Sequence, residues 1–140
     1  MFLRCTTCGA SNQLAASKLA DPLRCGRCRQ IVPAPAHALV ANTADMQEIM
    51  RDAPWPVLVD LWTPNAQDAR TAAAELEKLA RRHQGHLIVL RINVELLPTS
   101  LTEYAVRKLP TYLFFDHGRE IRRLVGTQSA DQLEFALSAA

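Results

Sequence analysis

The first 28 residues hold every cysteine of the chain, in the spacing C-x2-C-x16-C-x2-C: Cys5 and Cys8 form one knuckle, Cys25 and Cys28 the other. Two residues between cysteines let a tight turn aim both sulfurs at one point, and a loop of this length lets the second knuckle complete a tetrahedron around Zn²⁺. Gly9 and Gly26 suit the turns, because glycine accepts the positive φ that points backbone amides back at sulfur. Two structural disulfides, or a redox-active dithiol in one knuckle, are the alternatives. One structural zinc ion is the better account, since a reducing cytosol disfavours disulfides and about 30 residues bury too little core to fold unstapled. Metal binding there supplies folding energy rather than catalysis.

The chain has 140 residues, 49% hydrophobic and 21% charged, which describes one ordinary domain or a small domain with an appendage. No stretch approaches the ~18 apolar residues of a membrane helix, and Met1 to Arg4 run straight into Cys5 without an apolar signal core. No membrane association and a cytoplasmic location are expected. The net charge of +2 divides unevenly, with Arg4, Lys18, Arg24, Arg27 and Arg29 set against Asp21 in residues 1–32. Four thiolates around Zn²⁺ offset about half of that excess. With no aromatic residue between the knuckles to stack on a base, nucleic acid is not an expected partner.

Pro33-Ala34-Pro35-Ala36 follows the second knuckle as a short stiff connector, so the expected organisation is a zinc ribbon over 1–32, a linker over 33–36 and a second domain over 37–140. In the second domain, 37–41 predicts a weak strand and 43–52 a helix capped by Asn42 or Thr43, with Asp45 in its first turn. Val57 to Trp62 is apolar on both faces apart from Asp60, the pattern of a buried strand. Ala72, Leu76, Leu79 and Ala80 recur at helical spacing within 67–83, with Glu77 and Arg81 as an outward i,i+4 pair, and Gly85 stops that helix. Strands over 87–94 and 111–115, a short helix over 100–106, a hairpin return over 120–125 and a last helix opened by Ser129 and Gln132 complete the pattern. The order β-α-β-α-β-α-β-β-α predicts an α/β fold with a mixed central sheet and helices on both faces.

Several segments resemble the thioredoxin family. Val57-Leu58-Val59-Asp60-Leu61-Trp62-Thr63-Pro64 is similar to its active-site strand, and Arg91-Ile92-Asn93-Val94, Leu109-Pro110-Thr111, Phe114-Phe115-Asp116-His117-Gly118 and Leu124-Val125-Gly126 follow in the family's order. A ribbon ahead of such a domain resembles the bacterial thioredoxin 2 branch. The family's motif is Trp-Cys-Gly-Pro-Cys, and the aligned residues here are Asn65-Ala66-Gln67-Asp68-Ala69. Thiol-disulfide exchange needs one thiolate to attack and a second thiol to resolve the mixed disulfide, and an alanine methyl does neither. The resemblance implies that Asp60 is the buried carboxylate that serves the resolving cysteine, with Arg91 in place of a nearby lysine. It also implies that Pro110 is the cis-proline of a substrate groove, in which Trp62, Pro64, Leu109, Pro110, Gly126 and Thr127 hold an extended peptide. Whether that groove works or is vestigial is open at this point.

The four histidines, His37, His83, His86 and His117, lack companion ligands and are expected at the surface, and Ser100 and Ser129 begin helices. Three functions follow. The first is a redox-inactive thioredoxin-like protein that binds a protein or peptide as an adaptor, holdase-like module or assembly subunit. The second is a thioredoxin 2-type protein-disulfide reductase whose two cysteines have been replaced by Ala66 and Ala69. The third is a redox switch in which oxidation of the ribbon releases zinc.

Overall fold

The computed structural model describes residues 1–40 and 42–139. The cysteine module consists of two small antiparallel hairpins, β1 (Phe2–Arg4) with β2 (Ser11–Gln13) and β3 (Leu23–Arg24) with β4 (Ile31–Val32). A 3-10 turn over Ala16–Lys18 joins them. Each hairpin carries one cysteine knuckle at its tip, and the short strands pair only with each other.

Beyond the linker, the elements are α1 (Thr43–Asp52), β5 (Val57–Trp62), α2 (Ala69–Arg82), β6 (Ile88–Asn93), α3 (Thr99–Glu103), β7 (Thr111–Asp116), β8 (Arg119–Val125) and α4 (Ala130–Ala139). The sheet runs β6-β5-β7-β8, with β5 parallel to β6 and antiparallel to β7, so it is mixed as expected. Side chains alternate across it. Val57, Val59, Leu61, Leu90, Leu113 and Phe115 face one core layer, shared with α1 and the cysteine module. Leu58, Val89, Tyr112 and Phe114 face the other, with Leu76, Leu79 and Leu133 from α2 and α4. This double coverage explains why β5 reads as a nearly unbroken apolar run.

The predicted caps form. Asn42 accepts the Asp45 amide at 2.8 Å, and Ser129 and Gln132 make the reciprocal capping box of α4 at 3.1 and 2.8 Å. Four expectations need correction. The weak strand over 37–41 reduces to one parallel bridge, Leu39 to Leu90, and Ala41 lies outside the described residues; the prolines before it leave too few amides to extend a ladder. The helix expected from Gln67 begins at Ala69, because residues 63–68 are occupied by turns. The helix expected over 100–106 is Thr99–Glu103, and Ala105 leaves it at a φ of 52°. Glu77 does not pair with Arg81: its carboxylate takes the Ala38 amide at 3.1 Å and His37 Nδ1 at 3.0 Å, since linker amides without a strand partner compete for it.

The cysteine module has no closed core of its own. Leu3, Ala16, Leu19 and Val32 share one cluster with Met46, Ile49, Met50 and Ala53 of the α1 region. At this junction Glu48 of α1 accepts the backbone N–H of Ala16 at 2.6 Å, a donor the 3-10 turn leaves unpaired. Replacing Glu48 by alanine should strand that amide and cost about 1–3 kcal/mol of module docking. Amide exchange at Ala16 and its neighbours should accelerate while the β5 amides stay protected. Unchanged protection at Ala16 would show that Glu48 does not hold the module.

Candidate functional site

Two places gather chemistry. In the cysteine module the four sulfurs lie within 4.8 Å of one another, with Cys5 to Cys28 and Cys8 to Cys25 both at 3.6 Å. Those separations far exceed the ~2.05 Å of a disulfide and match the edge of a tetrahedron with metal–sulfur bonds near ~2.3 Å. Backbone amides favour thiolate at Cys5 and Cys25, while burial and the neighbouring sulfurs push Cys28 up to about 11. Thr7 N–H donates to Cys5 Sγ and Arg27 N–H to Cys25 Sγ, each at 3.4 Å, and the Asn12 amide reaches Cys25 Sγ at 3.5 Å. Amides of Cys28 and Arg27, then Asn12, hold the Cys25 thiol down at about 6. The site thus fits a metal ion held by Cys5, Cys8, Cys25 and Cys28.

One detail of the knuckles differs from the sequence reading. Gly9 has the expected positive φ of 79°, but in the second knuckle that conformation falls on Arg29, at 68°, and not on Gly26. Each residue directly follows the second cysteine of its knuckle, so the hairpins repeat one geometry. Gly26 instead donates its N–H to Asn12 Oδ1 at 2.8 Å, which ties the two hairpins together.

The second place lies at the N-terminus of α2. Ala66 and Ala69 are half-buried, one in the turn after β5 and one at the start of the helix, with Ala69 N–H on Ala66 O at 3.2 Å. The loop is pinned on both flanks by side chains that the sequence reading did not connect. Asn65 donates to Glu95 Oε1 at 2.6 Å, with Thr63 on the same oxygen at 3.3 Å. Asp68 occupies the N-cap of α2 but makes no cap; its carboxylate accepts the hydroxyl of Thr127 instead. The only signal was the run of polar residues replacing an apolar turn, and strand register alone does not reveal contacts between loops.

Beneath this loop lies Asp60, fully buried in the middle of β5. Its neighbours in register are Arg91 on β6 and Tyr112 on β7. Arg91 Nε donates to Asp60 Oδ2 at 3.0 Å, and its guanidinium lies 4.2 Å from the centre of the Trp62 ring. Burial pushes the Asp60 carboxyl up to about 6, although Arg91 pulls against it, and burial followed by the Asp60 charge pushes Tyr112 up to about 12. Tyr112 shares a sheet face with Asp60 two residues after Pro110, a spacing from which it could have been found. Asp60 Oδ1, Arg91 Nη2, Trp62 Nε1 and the Tyr112 hydroxyl have no hydrogen-bond partner among the described residues.

The remaining predicted positions border the loop or the strands next to it. The Leu109–Pro110 peptide is cis, with Leu109 half-buried and Pro110 buried. Gly126, at a φ of 88°, donates its N–H to Pro110 O at 2.9 Å; Pro64 and Thr127 are exposed, and Trp62 is half-buried against Arg91. Among the histidines, His37, His86 and His117 are exposed as expected, whereas His83 is half-buried at the end of α2 and bonds Glu134 at 3.1 Å. Packing of α2 on α4 brings those two together. Chemically, the region offers the Asp60 carboxyl, raised to about 6 by burial, and the methyl groups of Ala66 and Ala69 around the start of α2.

A cis Leu109–Pro110 peptide leading into β7 and a buried carboxylate on β5, in a mixed sheet of order β6-β5-β7-β8, describe a thioredoxin fold. The thioredoxin family profile matches residues 37–139, and the chain belongs to this family. Thioredoxin C-3 of Corynebacterium nephridii is 25% identical over 134 residues, covering 96% of this chain and 91% of that protein, so the likeness reaches into the cysteine module. Thioredoxin of Alicyclobacillus acidocaldarius is 34% identical over 83 residues, covering 59% of this chain and 79% of its own. The structure of a mutant thioredoxin from Halobacterium salinarum superposes with a TM-score of 0.68 at 22% identity, over 76% of this chain and 92% of that one, and supports the fold.

The buried carboxylate makes a quantitative prediction. Its proton is held more tightly in the folded chain, at about 6, than at the ordinary 3.8, so stability is fullest below pH 4 and falls as the pH rises through 6. The charged form costs about 3 kcal/mol at pH 8. Asp60→Asn should flatten the pH dependence between 4 and 6 and recover about 1–3 kcal/mol at pH 8, less what Arg91 loses with its partner. Urea denaturation at pH 4.5 and 8 measures both; an unchanged slope in the variant would place the titration elsewhere.

Proposed function

We propose that this protein is a non-catalytic thioredoxin-fold binding protein, with one structural Zn²⁺ in an N-terminal ribbon over 1–32, a 33–36 linker and a thioredoxin-like domain over 37–140. One observation carries the reading. At the N-terminus of α2, where the fold presents its reactive thiols, the chain has the methyl groups of Ala66 and Ala69, and all four cysteines sit in the other module. A disulfide substrate finds no thiolate to attack it at that site.

Zinc suits the ribbon because four sulfur ligands in tetrahedral spacing are a closed structural set, without an open position for substrate. The module's few core residues make the metal part of its folding energy. What remains at the thioredoxin site is a binding surface: half-buried Leu109 before the cis-proline, with Pro64 and Thr127 exposed. An extended peptide can add its backbone along Leu109 without any cysteine. The Asp68–Thr127 contact ties one wall of this surface to the loop, so binding there competes with an internal hydrogen bond. A protein partner held by its surface, rather than a turned-over substrate, is the consequence.

The zinc-loaded protein should show no reduction of insulin disulfides by dithiothreitol above the uncatalysed rate, and Ala66→Cys with Ala69→Cys together should confer it. Reduction by the unmodified chain would overturn the reading and implicate the ribbon thiols.

A further inference from the structure

The two edges of the central sheet are treated differently. Outside β6, Leu39, just after the linker, donates its N–H to Val89 O at 2.8 Å and accepts the Arg91 N–H at 2.9 Å, so the middle of that edge is paired. Outside β8, no strand pairs among the described residues. An open edge presents unpaired N–H and C=O groups to any extended chain that comes alongside. Ile121 and Val125 of β8 are 42% and 51% exposed, apolar side chains on the strand that has no outer neighbour.

The charge on this edge is sided. Cross-strand partners share a face, and the register Asp116 to Arg119, Phe114 to Arg122 and Tyr112 to Leu124 puts Arg119, Arg122 and Leu124 on the α4 side. On the opposite side Arg123 is satisfied by Glu120 at 2.8 Å and by the Tyr104 carbonyl at 2.7 Å. Arg119 and Arg122 make no ion pair among the described residues. Asp131, the acidic group that lines the groove between β8 and α4, is engaged by Arg82 at 2.7 Å. The same groove is bordered by Leu124 and by Phe135, which is 75% exposed.

We propose that β8 is a docking edge for an extended, acidic segment of a partner protein, added as a fifth strand, with its carboxylates on Arg119 and Arg122 and an apolar side chain in the groove beside Phe135. Backbone pairing supplies the strand geometry, and the side-chain pattern selects the segment. A second copy fits poorly, because an antiparallel pairing of two β8 strands centred on Arg122 sets that arginine opposite itself. Arg119, Arg122 and Phe135, which would select the segment, are no part of the cis-proline groove that adjoins the end of β8, so the proposal stands or falls independently of the reading above.

The probe is a capped heptapeptide, Glu-Thr-Glu-Thr-Leu-Thr-Glu, titrated into the ¹⁵N-labelled zinc-loaded chain, with a second peptide in which lysine replaces each glutamate. The acidic peptide should saturate, shift amides over 119–125 and at Phe135, and weaken with added salt. Arg119→Glu with Arg122→Glu should weaken it about tenfold or more, equivalent to ~1.4 kcal/mol, and Phe135→Ala should weaken it without altering the spectrum elsewhere. Both variants change exposed or half-exposed groups, and an unchanged thermal midpoint establishes that they fold. The proposal is overturned by no saturable binding up to millimolar peptide, by equal binding of the lysine peptide, by shifts centred on 62–66 and 109–110, or by a self-association that buries β8 in the unliganded chain.

Discussion

The burial of the Asp60 carboxylate, offset only in part by Arg91, is the constraint around which the centre of this protein is arranged. β5 is covered on both faces, so a carboxylate in its middle has no route to solvent, and only the Arg91 guanidinium, held flat against Trp62, offsets the loss of water. The offset is partial, because the carboxyl still titrates near 6. Its neighbours in register come from the two flanking strands, Arg91 from β6 and Tyr112 from β7. Above it the loop is clamped by Asn65 to Glu95 and by Asp68 to Thr127.

The second constraint is size. The strands within residues 1–32 are two or three residues long, and the module's buried apolar side chains belong to the core cluster that α1 and one face of the sheet form. Such a module needs a staple, and four converging sulfurs are one. The two halves of the chain thus divide the chemistry the family ordinarily concentrates at one place, with sulfur in the ribbon and the proton acceptor in the sheet.

Much of this was legible in the residues. Apolar runs bounded by turn residues located the strands of the sheet, and the capping pairs at Asn42 and Ser129 located helix starts to within a residue, because these signals are local. The cysteine spacing predicted convergence that the sulfur positions bear out. What escaped was set by contacts distant in sequence. Glu77 looked like a helix-surface partner of Arg81 and instead serves the linker, 39 residues away. The positive φ expected at Gly26 fell on Arg29, because the hairpin geometry, not residue preference, decides which position turns. The loop clamps and the asymmetry between the partly paired β6 edge and the open β8 edge exist only once the sheet order is known.

We propose that thiol chemistry in this chain is confined to the ribbon, where all four cysteines lie. An anaerobic redox titration of the zinc-loaded chain, followed by intact mass and by metal content at each potential, tests it most directly. No reversible two-electron step is expected while zinc stays bound, and any thiol oxidation should be accompanied by loss of the metal. A reversible two-electron couple with zinc fully retained would contradict the claim.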